Sequence, residues 1–190
     1  IIYYFVIYLY IMRYKWWIKF NLLFFIKKQK LNDVGFGFGK IGYLFREYFE
    51  SKKIGRHKPE DWLLKIDGVD IYDGYLSEVQ KQIYNNIFID DIFNVLPKLG
   101  EYDVSILSDV LEHFTKEDGY RLLDELFKHS KDIIVATPNG FLKQGPQDNP
   151  NQEHLSGWEL DDFKRYNVVE KYLIPRLRKD QEVIFVYLRK

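Results

Sequence analysis

A glycine-rich run near residue 35 carries the residue types that can cradle a nucleotide-like ligand. It reads Asp33-Val-Gly-Phe-Gly-Phe-Gly39 and directly follows a predicted strand. Glycine lets the backbone adopt positive φ and lets a ligand approach where a Cβ would block it. We therefore expect the backbone at Gly35, Gly37 and Gly39 to meet a carboxylate or phosphate group of a ligand.

Polar side chains also follow three other predicted strands. Asp70 closes the second strand, the third ends at Asp90-Asp91, and the fourth ends at Ser108-Asp109. A carboxylate after the second strand can accept both hydroxyls of a ribose, and one after the third can accept from the amine of adenine. Because the carboxyl ends of parallel strands meet at one edge of a sheet, we expect these groups to share a site with the glycine run.

The same carboxylates have structural interpretations as well. Asp70 could cap the helix that follows it, although ligand contact is the interpretation that we favour. Asp90 and Asp91 are a pair of acids at a strand end, and solvation explains such a pair about as well as ligand binding does.

Two histidines are candidate general bases, because imidazole titrates near neutral pH. His113 follows Glu112, and we favour the interpretation that this pair supports the loop after the fourth strand. His154 lies near Trp158, and packing explains it equally well. The pair Glu153-His154 alone has loosely ligand-like spacing, so we predict no metal site.

The elements that must position these residues alternate from residue 30 onward, which is typical of a parallel α/β sheet. The predicted strands are residues 30–34, 64–69, 87–89, 103–107, 132–136, 168–173 and 182–188. The predicted helices are residues 41–50, 74–84, 116–129 and 159–166. The last two strands are too close for a crossover helix and should pair antiparallel. The prediction is an α/β, Rossmann-like doubly wound sheet with five parallel strands plus an antiparallel C-terminal hairpin strand.

Two cofactor classes fit this layout. Gly37-Phe-Gly39-Lys-Ile-Gly42 matches the G-x-G-x-x-G pattern of dinucleotide sites. Those sites also expect an acidic residue roughly 20 residues further on, at the end of the second strand. Asp61 has about that spacing but does not close a strand, and Asp70 is further away. The spacing therefore counts against NAD, and a P-loop is excluded because no Gly-Lys-Ser/Thr follows the run.

Four motifs in order resemble those of class I S-adenosylmethionine-dependent methyltransferases. They are Asp33-Val-Gly-Phe-Gly-Phe-Gly39, Gly68-Val-Asp70-Ile, Ile89-Asp-Asp91 and Tyr102-Asp-Val-Ser-Ile-Leu-Ser-Asp-Val-Leu-Glu-His113. Two later runs, Ala136-Thr-Pro-Asn-Gly140 and His154-Leu-Ser-Gly-Trp158, resemble one bacterial-type group of small methyltransferases. The resemblance covers about residues 30–190. It implies the class I methyltransferase fold, with S-adenosyl-L-methionine as cofactor and S-adenosyl-L-homocysteine as product.

The resemblance also implies roles for residues near the first two strands. Asp33 and the backbone of Gly35, Gly37 and Gly39 would hold the methionine end of the cofactor. Asp70 would accept the ribose hydroxyls.

Further roles are implied along the sheet. Ile71 would pack against the adenine, and Asp91 would accept from the adenine amine, with Asp90 as its competitor. Leu107 and Ser108 would line the pocket through their backbone.

One residue departs from the pattern of the resembled family. Asn32 stands on the first strand where the family usually has an apolar residue. A buried Asn needs hydrogen-bond partners, so we expect the start of this strand to be irregular or exposed.

The predicted activity is methyl transfer to an oxygen or nitrogen atom of a small-molecule or sugar-type acceptor. The alternatives are an NAD(P)-dependent oxidoreductase and a non-catalytic Rossmann-like binding domain. The 28 basic and 28 acidic residues cancel, which gives no reason to expect nucleic-acid binding. The chain has no cysteine, which excludes disulfides and thiolate chemistry and fits a cytoplasmic protein.

The predicted domain spans residues 30–190, and residues 1–29 form an atypical apolar and aromatic segment. We favour an N-terminal helix or strand that covers the domain or is poorly ordered. Aromatic residues with Lys and Arg also suit a membrane-interface anchor, and a third interpretation is that residues 1–11 are not native, because Met12 is the only methionine. The uncharged run of residues 1–12 is shorter than the ~20 apolar residues that span a bilayer.

Overall fold

Seven strands form one sheet, in the order β3-β2-β1-β4-β5-β7-β6. The computed structural model describes residues 30–52, 55–146, 148–175 and 181–190, so the segment predicted at residues 1–29 lies outside the described residues. The strands are β1 Lys30–Val34, β2 Lys65–Asp70, β3 Asn86–Ile89, β4 Tyr102–Ser108, β5 Ser130–Pro138, β6 Asn167–Pro175 and β7 Glu182–Arg189.

The pairing confirms the predicted topology. Strands β1 to β5 pair in parallel with one another. Strand β7 pairs antiparallel with both β5 and β6, and β6 forms the edge. Each predicted strand is present, and β5 extends two residues beyond its predicted range at either end because its ladder with β7 continues to Pro138.

Four α-helices form in the described residues, and the one predicted at residues 116–129 has its predicted bounds, whereas those predicted at 41–50 and 74–84 are shorter. The four helices are α1 Lys40–Phe45, α2 Glu78–Ile83, α3 Ile92–Val95 and α4 Lys116–His129. The first predicted helix, 41–50, changes into a π-helix at Arg46–Lys52, and the prediction at 159–166 is wrong in type, because Leu160–Arg165 forms 3₁₀ turns. Helix α2 begins late because Ser77 and Gln80 form a capping box at its start. In the part of the chain that the structure describes, no helix has the length and apolar character to cross a membrane.

Two hydrophobic clusters cover the two faces of the sheet. Successive side chains of a strand point to opposite faces. Leu31 and Ile66 join one cluster, whereas Val34 and Val69, at the ends of the same two strands, join the other. Helix α4 packs on the latter face through Leu122, Leu123 and Leu126, which are fully buried. The carboxyl ends of β1 to β4 are thereby held at one edge of the sheet.

A buried ion pair anchors the helical segment that follows the glycine run. Arg46 and Glu50 are 4% and 0% exposed, and Arg46 Nη1 lies 3.6 Å from Glu50 Oε1. Glu50 Oε1 also accepts the backbone N–H groups of Leu63 and Leu64, and its Oε2 accepts Arg56 Nε at 2.6 Å. The segment before β2 is thus fastened to the π-helix by one carboxylate.

The first residue of β1, Lys30, is exposed, but the expectation of an irregular or exposed strand is wrong for the residues around Asn32. Leu31 to Val34 are all buried and pair in register with both neighbouring strands. The buried Asn32 finds a partner across the sheet, because its Nδ2 donates to Ser105 Oγ at 3.3 Å. Ser105 Oγ in turn lies 2.6 Å from Ser130 Oγ, so a short polar chain crosses the apolar sheet.

Candidate functional site

The glycine run folds as a loop held in place by β2. Gly35, Gly37 and Gly39 have φ values of 72°, 52° and 80°, which disfavour any residue with a Cβ. Gly35 N donates to Val69 O at 2.7 Å, and Gly39 N donates to Phe36 O at 2.8 Å. The first turn of the loop is therefore fixed by the neighbouring strand.

Two glycines of this loop differ in what surrounds them. A Cβ added at Gly35 would lie 2.5 Å from Cγ2 of Val110, so this glycine allows the loop to pack against the end of β4. A Cβ added at Gly37 would meet nothing within 4 Å. Gly37 thus leaves open space beside the backbone, as a cradle for a ligand requires.

Asp70 lies at the end of β2 and joins the loop directly. Its Oδ2 accepts the N–H of Gly37 at 2.7 Å, and its Oδ1 accepts the N–H of Tyr72 at 2.9 Å. Burial raises the pKa of Asp70, whereas the backbone N–H groups of Tyr72, Gly37 and Ile71 oppose that rise. An ionised carboxylate has about four acceptor positions, so Asp70 keeps capacity for a ligand hydroxyl beyond these contacts.

Asp33 lies below the loop. Its side chain is 1% exposed, and Oδ2 accepts the hydroxyl of Tyr84 at 2.5 Å. Burial raises the pKa of Asp33 to about 6, although Tyr84 and Lys40 act in the opposite direction. The contact observed for Asp33 is therefore one that positions the loop.

The two acids after β3 have different surroundings. Asp90 Oδ1 accepts Asp91 N and Asn94 Nδ2, and its Oδ2 lies 3.9 Å from Lys98 Nζ. The side-chain hydrogen bond from Asn94 lowers the pKa of Asp90. Asp91 Oδ1 accepts Phe93 N at 2.8 Å as the cap of α3. Both oxygens of Asp90 thus serve local contacts, which favours Asp91 as the acceptor for a ligand amine.

The end of β4 lies close to a lysine, Lys40, at the start of α1. Leu107 is fully buried and Ser108 is half-buried, with Ser108 Oγ 3.4 Å from Asp109 Oδ2. Asp109 has φ 57° and lies 3.9 Å from Lys40 Nζ. Burial lowers the pKa of Lys40, and the nearby carboxylates of Asp109 and Asp33 raise it. Lys40 therefore couples the loop to the end of β4.

An exposed aromatic rim borders the loop. The Phe38 ring is 74% exposed and lies 4.6 Å, centroid to centroid, from Tyr75. Tyr75 Oη accepts Asn149 Nδ2 at 3.3 Å, which connects the rim to the segment after β5. Ile71, for which the family resemblance implies packing against adenine, is 47% exposed beside Asp70.

The two candidate bases lie together. The ring centroids of His113 and His154 are 4.9 Å apart. His113 Nδ1 bonds to Glu153 O at 3.0 Å, and His154 Nδ1 bonds to Leu142 O at 2.6 Å. Burial lowers the pKa of His113, with a further lowering from the charge of His154.

Sequence reasoning missed several residues of this site. Tyr84 belongs to no motif, and Lys40 fills only a variable position of the G-x-G-x-x-G pattern. Their contacts with Asp33 and Asp109 join residues that are distant in sequence. The one available signal was the position of Lys40 directly after the glycine run. Phe38 and Tyr75 carry no distinctive signal in the sequence, because aromatic residues make up 18% of the chain.

Comparison with known proteins shows the fold. No protein-family model matches the chain, and no curated protein sequence matches it. A solved SAM-dependent methyltransferase from Archaeoglobus fulgidus matches with TM-score 0.62 and 14% identity, covering 91% of each chain. Magnesium protoporphyrin IX methyltransferase from Synechocystis PCC 6803, with bound SAH, matches with TM-score 0.58 and 14% identity, covering 87% of this chain and 76% of that one.

A third solved structure, the N-terminal domain of EvdMO1 with SAH bound, matches with TM-score 0.57 and 15% identity. The match covers 85% of this chain and 74% of that one. Identities this low establish the fold alone. The chain therefore has the class I methyltransferase fold that its motifs predict.

Proposed function

We propose that this chain is an S-adenosylmethionine-dependent methyltransferase that acts on an oxygen or nitrogen atom of a small-molecule or sugar-type acceptor. The observation that carries this proposal is the 2.7 Å hydrogen bond from Gly37 N to Asp70 Oδ2. This bond holds the loop at Gly37, which has open space beside its Cα, next to the buried carboxylate of Asp70, and together they form one cradle. The cradle lies at β1, where the strand order reverses, and ligands of open α/β sheets bind at that point.

The residues present fit the cofactor. The space beside Gly37 suits the methionine end, and Asp70 suits the ribose hydroxyls. The exposed Ile71 offers an apolar surface to the adenine, and Asp91 offers a carboxylate to its amine. The bound SAH of two matched structures supports the same assignment. Asp33 acts in this proposal as a positioning residue beneath the loop.

Bound S-adenosylmethionine would supply a methyl group on a positively charged sulfur that is already activated for displacement. The chain itself then has to position the two reactants and exclude water. A base is needed only for an alcohol or a protonated amine. His113 and His154 are the candidates, because each Nδ1 bonds to a carbonyl oxygen and leaves a lone pair on Nε2 in the neutral ring.

The rim supports an acceptor with a flat or sugar-like face. Phe38 and Tyr75 present aromatic surface beside the loop, and the buried Asn149 donates to the Tyr75 hydroxyl. Aromatic faces pack on apolar ring surfaces, whereas a tyrosine hydroxyl can hydrogen-bond to a hydroxyl of the acceptor. The chain has no net charge that would draw a polyanion.

The topology weighs against the oxidoreductase alternative. The dinucleotide-binding fold has the strand order 3-2-1-4-5-6 with parallel strands. Here the antiparallel β7 lies between β5 and β6. The non-catalytic alternative keeps the cradle and is separated from the enzyme only by an assay of methyl transfer.

Calorimetric titration with S-adenosylhomocysteine tests the proposal. The wild-type protein should bind one equivalent. Asp70→Ala should weaken binding by about 10- to 100-fold, because a hydrogen bond to a charged group contributes roughly 1.5–3 kcal/mol. Asp73→Ala is the matched control, since it removes the same charge from an exposed position nearby.

Two other results would reject parts of the proposal. Binding of NADH without any response to S-adenosylhomocysteine would reject the cofactor assignment. Binding of S-adenosylhomocysteine with no methylation across a broad panel of hydroxylated and amino metabolites would favour the non-catalytic domain.

A further inference from the structure

Three side chains after β4 and β5 form a cluster with metal-ligating atoms. Glu112, His113 and His154 each bring one such atom to within 4.8 Å of the other two. Glu112 and His113 belong to the 3₁₀ turn Leu111–His113, whereas His154 comes from the segment that crosses that turn. The set joins residues about 40 positions apart, so linear spacing could not reveal it.

The contacts around this cluster orient its ligating atoms. His113 Nδ1 bonds to Glu153 O and His154 Nδ1 bonds to Leu142 O, at 3.0 and 2.6 Å. A neutral imidazole that donates from Nδ1 carries its lone pair on Nε2. Metal-binding histidines characteristically show this arrangement, with the second ring nitrogen donating to a carbonyl or carboxylate.

The carboxylate of the cluster is oriented in a similar way. Thr137 Oγ1 donates to Glu112 Oε2 at 2.8 Å, and Glu112 is 3% exposed. Its backbone carbonyl accepts the N–H groups of Leu155 and Ser156 at 2.7 and 3.2 Å. These bonds fix the turn against the segment that carries His154, so the two parts of the cluster are held together by backbone.

We propose that Glu112, His113 and His154 bind one divalent transition-metal ion, with Zn²⁺ as the best match. Two imidazoles and one carboxylate form a set that holds zinc and leaves a coordination position open. In a tetrahedral site, metal–ligand bonds of about 2.0–2.2 Å place the ligand atoms roughly 3.3–3.6 Å apart. Side-chain rotations that shorten the separations by about 1 Å would therefore close the 4.8 Å cluster around an ion. Two imidazole ligands favour zinc over Mg²⁺, which prefers carboxylates and water.

Metal binding at this cluster does not depend on the proposed methyl transfer. It does change the role of the two histidines, because a nitrogen bound to a cation cannot accept a proton. If the proposed function holds, the open position would take an acceptor oxygen and lower its pKa, as zinc does for bound water. His113 and His154 would then act as metal ligands in the protein that holds the ion, and as bases only in protein without it.

The test uses the four histidines of the full chain, in protein that carries no affinity tag. Ring resonances of uniformly labelled wild-type protein are followed by NMR during titration with ZnCl₂. The signals of His113 and His154 should shift together and saturate at one equivalent. Those of His57 and His129 serve as internal controls and should stay unchanged through that equivalent.

The Zn²⁺ affinity of wild type and variants is then measured by competition with a chromophoric chelator. Glu112→Gln should weaken Zn²⁺ binding at least about tenfold, and Thr137→Val should weaken it by roughly 10- to 100-fold, the range found for outer contacts of metal ligands. His57→Ala should leave the affinity unchanged, and MgCl₂ should not displace Zn²⁺.

Two results would overturn the metal site. One is a shift of His57 or His129 ahead of the clustered pair, and the other is unchanged Zn²⁺ affinity in Glu112→Gln. Titration with S-adenosylhomocysteine is scored separately, so a protein that binds zinc but no cofactor would reject the proposed function alone.

Discussion

The hydroxyl of Tyr84 donates a hydrogen bond to Oδ2 of Asp33 at 2.5 Å, and both side chains are buried. The two residues lie 51 positions apart, at the end of α2 and within β1. The Tyr84 ring also packs 5.2 Å from the ring of Phe36, inside the glycine loop. Burial, followed by the nearby Asp33 carboxylate, raises the pKa of Tyr84, so it remains a phenol that can donate. Asp33 is thereby tied beneath the loop.

This burial predicts a pH dependence of stability. The pKa of Asp33 is about 6 in the folded protein and 3.8 as an isolated group. Between these values the folded state holds more protons than the unfolded state, so the free energy of unfolding falls as pH rises from about 4 to about 6. The full difference is about 3 kcal/mol, because one pKa unit corresponds to about 1.4 kcal/mol.

Asp33→Asn isolates this effect, because an amide oxygen can still accept the Tyr84 hydroxyl. Urea unfolding of both proteins at pH 4, 5, 6 and 7 gives the difference in stability between them. Wild type should lose stability relative to Asp33→Asn across that window and then remain level. A difference that stays flat, or that changes in favour of wild type as pH rises, would contradict the assignment.

Two glycines of the loop should respond differently to alanine. Gly35→Ala places a Cβ 2.5 Å from Val110, so we expect a loss of roughly 1–3 kcal/mol from overpacking, in addition to backbone strain. Gly37→Ala meets no atom within 4 Å and should cost only the strain of a left-handed residue, roughly 1–2 kcal/mol.

Gly37→Ala should act mainly on ligand affinity, whereas Gly35→Ala should act mainly on stability. Gly37→Ala should fold but bind S-adenosylhomocysteine at least about tenfold more weakly, a loss of ~1.4 kcal/mol, because its Cβ enters the cradle. The loss of unfolding free energy caused by Gly35→Ala should be about 1 kcal/mol smaller when Val110→Ala is also present, because the clash is then relieved. Chemical unfolding and calorimetry measure both effects, and full affinity in Gly37→Ala would count against the cradle.

The buried pair Arg46–Glu50 should be important for stability. Burial lowers the pKa of Arg46 to about 10, so it remains charged at neutral pH. Glu50→Ala leaves that charge buried without its carboxylate and should cost about 3–5 kcal/mol. Glu47→Ala, which removes the same charge from a less buried position in the same segment, should change stability by at most ~0.5 kcal/mol. Equal effects of the two variants in urea unfolding would contradict this role.

Much of the fold could be predicted from local patterns. Alternating apolar runs and helical patterns predicted all seven strands, and the short connection before β7 predicted its antiparallel pairing. The type of the segments at Arg46–Lys52 and Leu160–Arg165 could not be predicted, because long-range contacts determine it. The carboxylate of Glu50, for example, binds backbone 13 and 14 positions away.

The candidate site likewise has contacts that the sequence could predict and contacts that it could not. Acids and glycines at strand ends could be predicted to meet, because parallel strands bring their carboxyl ends together, and Asp70 does contact Gly37. The contacts of Asp33 with Tyr84 and of His113 with His154 depend on how loops cross the edge of the sheet. Those crossings leave no periodic pattern in the sequence, and Asn32 likewise acquires its partner only when β1 and β4 are side by side.

The central claim is that the loop of Gly35, Gly37 and Gly39, together with Asp70, holds the cofactor. The most direct measurement is an amide NMR titration of the labelled protein with S-adenosylhomocysteine. The amides of the three loop glycines and of Ile71 should shift and saturate together, while that of the distant Gly100 stays in place. Saturable shifts of the same amides with NADH, but none with S-adenosylhomocysteine, would contradict the account.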